Sequence, residues 1–403
     1  MALPSVSVII LNFNGRQHLE ACFQSLLDQQ YAGPIEIIMV DNGSSDGSVE
    51  LVRARFPQLR LIVNEQNTGF SPAVNQAARQ AQGDYLALLN NDARAASDWI
   101  AQLVELAERR RGEGVACVAS RVLGWDGEKI DFIVGSMNFH GFGAQPFFRM
   151  PAAALDAGEE PLLFANGGAM LVDRKVFLEI GGLDDDYFAY FEDVDLGWRL
   201  WVCGYQVVLN PKAVAYHRHH STASTMYPYQ TRLLFERNAL LTIIKNYSDE
   251  HLQRALAPAL LLLIKRALHE AGDLVDRKDF DLRKRDGEEQ FPRMEVSKSV
   301  ISCLLAVDDL LAMLPRLYAK RDRIQAMRKR DDHEIMPLFR SPLSANFGDY
   351  YPYSVMVEQI VKHFDIDKMF DGAKPTRLLI LSSDPLRPEL AGTGIRVTEM
   401  AKC

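Results

Sequence analysis

The feature that most constrains this chain is the regular alternation of strand-like and helix-like segments through its first 120 or so residues. "SVSVIILNFN" is a continuous apolar run of strand length, and "RQHLEACFQSLLDQQ" repeats its apolar positions at the spacing of a helix. "IEIIMVDN", "LRLIVNE", "DYLALLN" and "VACVASRVL" read as further strands, and helical patterns lie between them at "SSDGSVELVRARF", "SPAVNQAARQA" and "SDWIAQLVELAERRR". Strands alternating with helices of this length form βαβ units, which predicts an α/β fold with a mostly parallel central sheet flanked by helices. Ligands of such sheets bind beyond the carboxyl ends of the strands. Polar residues collect at those ends: Asn12 and Asn14, Asp41 and Asn42, Asn64 and Asn67, Asn90 and Asp92.

After about residue 120 the alternation gives way to a Gly-rich, aromatic stretch, "GSMNFHGFGAQPFF", then short strand patterns at "GAMLVDR", "YQVVLNP" and "AVAYH" with a helix near "EDVDLGWRLWVCG". Residues 229–330 read as helical, and 331–375, with several prolines and weak periodicity, as a connector. The last segment, "TRLLILSSDPLRPELAGTGIRVTEMAKC", reads as the strand, loop and helix start of a further α/β domain cut short. The expected organisation is therefore 1–228, 229–330, 331–375 and 376–403.

Bulk properties exclude several classes. The chain is 48% hydrophobic and 24% charged, as a globular protein is, and its net charge of −8 argues against tracking nucleic-acid phosphates. Cys22, Cys117, Cys203, Cys303 and Cys403 are scattered with no CxxC spacing, which fits reduced thiols in a cytoplasmic protein better than a disulfide frame or a zinc site. The start lacks the basic residues and long apolar run of a signal peptide, and "ALAPALLLLI" is about half a bilayer span. Basic residues at Arg316, Lys320, Arg321, Arg323, Arg328, Lys329 and Arg330 give either a solvated helix face or a surface for anionic lipid, and the helices around them offer a homodimer contact.

The chemistry-bearing residues fall in four groups. Asp41, in "VDNGSSDGS", either caps a turn or accepts hydrogen bonds from a nucleobase or ribose. In "NEQNTGFSPAVNQAARQAQG", Gly69 permits close backbone approach, while Asn67 and Asn75 flank a helix start suited to an anion. Asp92 follows Asn90 and Asn91, a set of oxygen donors matching a hard divalent cation, Mg²⁺ or Mn²⁺, whose remaining ligands would be nucleotide phosphates. "AYHRHHSTAS" places three histidines within four positions, beside Ser221, as a source of a further ligand. In "YFAYFEDVDLGWRLWVCGY", Glu192, Asp193 and Asp195 open a helix; the bland reading is helix-end electrostatics, but the surrounding aromatic rings favour a desolvated general base.

Together these segments resemble a known family. "VSVIILNFNG", "VDNGSSDGS", "NTGFSPAVNQAA", "LALLNNDA", "NGGAMLVDR", "YFEDVDLGWRLWVCGY" and "AYHRHHSTAS", in that order, are similar to the family 2 glycosyltransferases with the GT-A fold, in their rhamnosyltransferase-like branch. The likeness covers about residues 4–245 and ends in "ERNALLTIIKNY". It implies an inverting, metal-dependent transfer of sugar from a UDP- or dTDP-linked donor to a glycan or lipid-linked acceptor in surface-polysaccharide synthesis, at the cytoplasmic face of a membrane. By the same likeness, the segment around Asn12 and Asp41 would hold the nucleoside. Asn90-Asn91-Asp92 stands where the family has Asp-x-Asp, with Asp92 on the metal and Asn90 a departure from the pattern. Gly167 and Gly168 would line the sugar side, Asp193 would be the base with Glu192 beside it, and His217 would reach the metal or diphosphate. The final segment is similar to the opening of a GT-B glycosyltransferase domain. Two other classes compete. A nucleotidyltransferase would need a basic Gly-rich loop after the first strand, where "LNFNGRQHLE" has one glycine and one arginine. A noncatalytic scaffold of a glycan-assembly complex would use the helical half as its contact surface.

Overall fold

Continuous apolar runs become the centre of a parallel sheet in the computed structural model, which describes residues 2–218, 226–271, 296–345 and 351–370. The first half runs β1 (Val6–Asn12), α1 (Arg16–Leu27), β2 (Ile35–Asp41), α2 (Ser48–Arg55), β3 (Arg60–Val63), α3 (Phe70–Gln80) and β4 (Tyr85–Leu89). β1 pairs in parallel with both β2 and β4, and β2 with β3. β4 is buried along its whole length because helices cover both faces, which is why its sequence shows a run rather than an alternation. The pairing Asn12↔Asp41 brings the polar ends of β1 and β2 side by side.

The second half is less regular. It contains β5 (Ala93–Ala95), α4 (Trp99–Arg109), β6 (Val115–Gly124), β7 (Ile130–Phe132), β8 (Ser136–Met137), β9 (Gly143–Ala144), β10 (Ala169–Asp173), α5 (Arg174–Glu179), α6 (Glu192–Val202) and β11 (Gln206–His217). The main sheet runs β3-β2-β1-β4-β10-β6-β11-β5, with β7 on β6. β10 enters antiparallel between β4 and β6, and so carries the Gly167-Gly168 turn to the ligand end of β4. One sequence expectation needs correction here. "YQVVLNP" and "AVAYH" are one strand, β11, with an irregularity between Asn210 and Val214 that holds Pro211, a residue with no N–H for a ladder. The segment after Asp92 forms the short edge strand β5 before its helix begins at Trp99.

The helices that follow are α7 (Pro228–Asn246), α8 (Asp249–Ala271), α9 (Lys298–Ala326), α10 (Asp332–Ile335) and α11 (Tyr351–His363). They do not form a separate layer. One hydrophobic core includes Val6, Leu88 and Trp198 together with Ile243, Leu262, Leu317, Phe339 and Tyr353. The stretch expected as a connector contains α10 and α11, and Phe339 sits edge-on to Trp198 with ring centroids 5.1 Å apart. Its periodic apolar residues, Tyr353, Val357 and Val361, are too few to stand out in a Pro-flanked segment.

Most of the basic residues between 316 and 330 have partners within the chain. Arg316 pairs with Asp186 at 3.0 Å, and Lys320 bridges Asp184 and Asp186. Buried Arg321 donates to the carbonyls of Ile244 and Tyr247 at 2.5 and 2.6 Å. Arg323 donates to Glu179 O, Arg328 pairs with Asp332, and Lys329 and Arg330 lie over Tyr205 and Trp201. No helix among the described residues is long and apolar enough to cross a membrane. Cys22, Cys117, Cys203 and Cys303 are free and buried. Ser221, Cys403, His219 and His220, and the final segment 376–403, lie outside the described residues.

Candidate active site

The ends of β1 and β2 are tied by side chains. Asn12, fully buried, donates from Nδ2 to Asp41 Oδ2 at 3.0 Å and to Ser44 Oγ at 3.1 Å. The Ser44 N–H donates to Asp41 Oδ1 at 2.9 Å, and Asn91 Nδ2 donates to Asn12 Oδ1 at 2.8 Å. Asp41 thus makes the turn that its sequence allowed, with both oxygens already accepting. Asn14, at φ 50°, accepts from Ser45 N and donates its own N–H to Ser44 Oγ. Asn42, which sequence reasoning noted only as a strand end, organises the next loop. Its amide donates to Asn67 Oδ1 at 2.9 Å and to Gly69 O at 3.1 Å, and its carbonyl accepts from Asn64 and Thr68.

Gly69 is required where it stands. Its φ is +93°, and a Cβ there would meet Phe188 O at 2.8 Å. The Phe70 N–H donates to that same carbonyl, joining α3 to the turn before α6. Asn75 has a different task from the expected one. Its Nδ2 donates to Leu183 O and Asp185 Oδ1, its Oδ1 accepts from Leu183 N, and it clasps that loop rather than lining the cleft.

A cleft of about 630 Å³ opens above β4 and β10, walled by Asn90, Asn91, Gly167, Gly168, Glu192 and Asp193. The Gly167 N–H donates to Asp193 Oδ2 at 3.0 Å, and the Val194 N–H donates to Asp193 Oδ1 at 2.8 Å. Glu192 is buried, and its Oε2 has no hydrogen-bond partner among the described residues. Burial, then the neighbouring Asp193 charge, push Glu192 up to about 8. Burial also lifts Asp193, against the N–H donors of Gly167 and Val194. The pair is arranged so that Glu192 keeps its proton near neutral pH while Asp193 is the carboxylate able to take one.

What aims this pair is a strained turn. Tyr190 and Phe191 sit at φ 69° and 66°, a left-handed conformation that bulky residues seldom adopt. Fully buried Asn238 of α7 donates to the carbonyls of Ala189 and Tyr190, each at 2.8 Å, and so holds the turn. The Phe191 ring stacks on Phe235 at 5.3 Å and meets Phe142 edge-on at 5.8 Å. No sequence pattern pointed to Asn238, because the contact joins segments 48 residues apart.

Buried Asp92 lies in the turn between β4 and β5, with Oδ1 at 3.0 Å from His217 Nε2. His217 Nδ1 faces Asp131 Oδ2 at 2.5 Å, and Asn90 Nδ2 is 3.5 Å from Nε2. Burial alone would lower the imidazole; the hydrogen bonds to Asp131 and Asp92 outweigh it and raise His217 to about 10. Asp131 is another residue the sequence did not expose, since it sits on the three-residue strand β7. Among the described residues no group of three or more His, Cys, Asp or Glu side chains converges on one point as a metal cage. The two carboxylates instead flank the imidazole. One carboxylate and one imidazole, which must give up its Nε2 proton to the incoming ion, with the far ring nitrogen held by a second carboxylate, form a donor set that fits a divalent cation whose other ligands come from a bound anion.

Comparison with known proteins identifies the family. Residues 7–179 match the family described as glycosyl transferase family 2. The chain is 29% identical over 245 residues to the N-acetylglucosaminyl-diphospho-decaprenol L-rhamnosyltransferase of Mycobacterium tuberculosis (strain CDC 1551 / Oshkosh), a span of 53% of this chain and 76% of that protein. It is 34% identical over 108 residues to an N-acetylglucosaminyltransferase of Bradyrhizobium sp. (strain ANU 289), a span of 26% of this chain and 71% of that protein. Among solved structures, GalNAc-T7 crystallised with UDP, GalNAc and Mn²⁺ superposes with a TM-score of 0.51 and 17% identity, over 69% of this chain and 53% of that one. That likeness speaks to the fold, a mostly parallel sheet of GT-A type. With the ordered strand-end motifs, these matches establish that the chain belongs to family 2 of the glycosyltransferases.

Proposed function

We propose that this glycosyltransferase moves a sugar from a UDP- or dTDP-linked donor to a hydroxyl of a glycan or lipid-linked acceptor in surface-polysaccharide synthesis, by a single displacement that inverts the anomeric carbon. The observation that carries the reading is Asp193. Its carboxylate is fixed by two backbone N–H groups in the wall of the cleft that also presents Asn90 and Asn91. Among the described residues, Glu192 and Asp193 are the carboxylates lining that cleft. They sit together on one wall, which supports one of them serving as base for a hydroxyl that attacks from that side. The M. tuberculosis relative is named for rhamnosyl transfer to a diphospho-decaprenol acceptor, and this supports the lipid-linked option.

In this reading the nucleoside rests on the Asn12–Asp41 platform, with Asn14, Asn67 and Gly69 shaping its loops. Asn90, Asn91, Gly167 and Gly168 border the sugar, while Asn75 positions the 183–185 loop. Asp193 takes the proton from the acceptor hydroxyl as its oxygen bonds to the anomeric carbon and the bond to the diphosphate oxygen breaks. Glu192, protonated, offers an O–H to the acceptor and leaves Asp193 as the charged partner. Asp92 and His217 would hold a Mg²⁺ or Mn²⁺ ion, with Asp131 orienting the imidazole. When bound, that ion offsets the negative charge gathering on the departing nucleoside diphosphate. The test is Asp193→Asn, assayed with UDP- and dTDP-sugars. Transfer should fall by about 10³-fold or more while nucleotide binding is kept. Full transfer by this variant would refute the assignment.

A further inference from the structure

A second cavity, of about 690 Å³, lies beside His217, and Asp131, Trp125, Lys129, Arg149 and Arg218 help to line it. We propose that it receives a phosphate or diphosphate group carried by the acceptor; this rests on the glycosyltransferase reading above and specifies the acceptor class. The volume is within the usual range for a small-ligand pocket.

The argument begins with charge. The chain carries a net −8, yet this cavity gathers three cations, Lys129, Arg149 and Arg218, against two carboxylates, Asp126 and Asp131, and no ion pair among the described residues joins any of the three to a carboxylate. Elsewhere the arginines and lysines are largely consumed by ion pairs and carbonyls, as on α9. Unpaired cations gathered in one concave site of an acidic protein make a local positive field that draws an anion.

Two of the three cations are held in place. The Arg218 guanidinium lies over the Trp125 ring at 4.0 Å, and Arg94 packs on the same ring at 5.0 Å while donating to Trp125 O at 3.2 Å. A stacked guanidinium keeps its in-plane N–H donors for an oxyanion. Arg149 stands at φ 65°, and that conformation is locked because its N–H donates to Ile130 O while the Ile130 N–H donates to Met150 O. A bulky residue kept in a costly backbone conformation, with an exposed guanidinium at a cavity rim, is a pattern of functional sites rather than of packing.

His217, which lines this cavity, stands between it and the donor side. The imidazole of His217 turns Nδ1 to Asp131, which lines the cavity, and Nε2 to Asp92 and to Asn90, which lines the sugar cleft. Phe148 borders both spaces. An acceptor whose hydroxyl reaches Asp193 can therefore run past Phe148 and set an anionic group among the three cations, while the donor diphosphate stays on the Asp92 face.

The experiment is calorimetric titration of inorganic pyrophosphate and of farnesyl diphosphate, with farnesol as control, into the full chain saturated with UDP and Mn²⁺. The comparison is Lys129→Gln/Arg149→Asn, with Asn chosen because it tolerates the positive φ at 149. Both diphosphates should bind the UDP-loaded wild type with one site, and the double variant should bind them about tenfold or more weakly, with UDP affinity unchanged. Farnesyl diphosphate binding better than pyrophosphate would identify a lipid-borne group, and equal binding a phosphate group without a lipid requirement; either supports the site. Pyrophosphate excluded by UDP would assign the cavity to the donor diphosphate, and equal binding by the variant would remove these cations from any site; either overturns the proposal. Should UDP fail to bind wild type at all, the donor reading falls, and the pyrophosphate titration still decides the cavity on its own.

Discussion

Glu192→Gln should stabilise the protein, and increasingly so as pH rises. The ordinary carboxyl value of 4.5 is raised to about 8 in the fold by burial and the Asp193 charge. Between those two values the unfolded chain has released its proton and the folded chain still holds it. Folding must therefore take up a proton, and stability falls with pH across that window by about 1.4 kcal/mol per pH unit. Glutamine keeps the shape and carries no titrating proton. The stability difference between variant and wild type should thus widen by roughly 2–3 kcal/mol between about pH 5.5 and pH 7.5. Urea melts followed by tryptophan fluorescence at both pH values measure it, since buried Trp198 follows Glu192 on α6 and reports that helix. Parallel melts, with a difference that does not change with pH, would refute the claim that Glu192 is held protonated.

Two further outcomes follow from contacts described above. Asn238→Ala strips two donors from the Ala189 and Tyr190 carbonyls and should cost about 2–4 kcal/mol in urea stability; kcat should fall further than nucleotide affinity, because the strained turn aims Glu192 and Asp193. Asp131→Asn should weaken Mn²⁺ binding in the presence of UDP by about 10–100-fold in a metal titration, and unchanged affinity would remove Asp131 from the ion's support.

What could be read from the sequence is what is periodic or contiguous. β1, β2 and β4 announce themselves as apolar runs, and the polar clusters at their tips mark the ligand side before any coordinates are seen. Glu192 and Asp193 are legible because they are adjacent and open an apolar-periodic helix. Asp131, Asn42 and Asn238 are not, since each acts through a hydrogen bond to a segment whose distance along the chain no local pattern encodes. The edge strand β5 and the pieces β7 to β9 are too short for a period to register. The pattern of the basic run on α9 is legible too, but its partners are not, since Asp184, Asp186 and Glu179 lie more than a hundred positions away.

The clasp by Asn238 bears on where an enzyme of this kind may be cut. A protein trimmed after β11 would retain every strand pairing of the main sheet, yet Ala189 and Tyr190 would face no amide and Phe191 would lose the ring it stacks on. Such a fragment would pass as well folded by its sheet content while the carboxylate proposed as its base swung out of register. In this architecture the sheet supplies a floor, and the helical half supplies the splint that holds the Glu192–Asp193 turn in place.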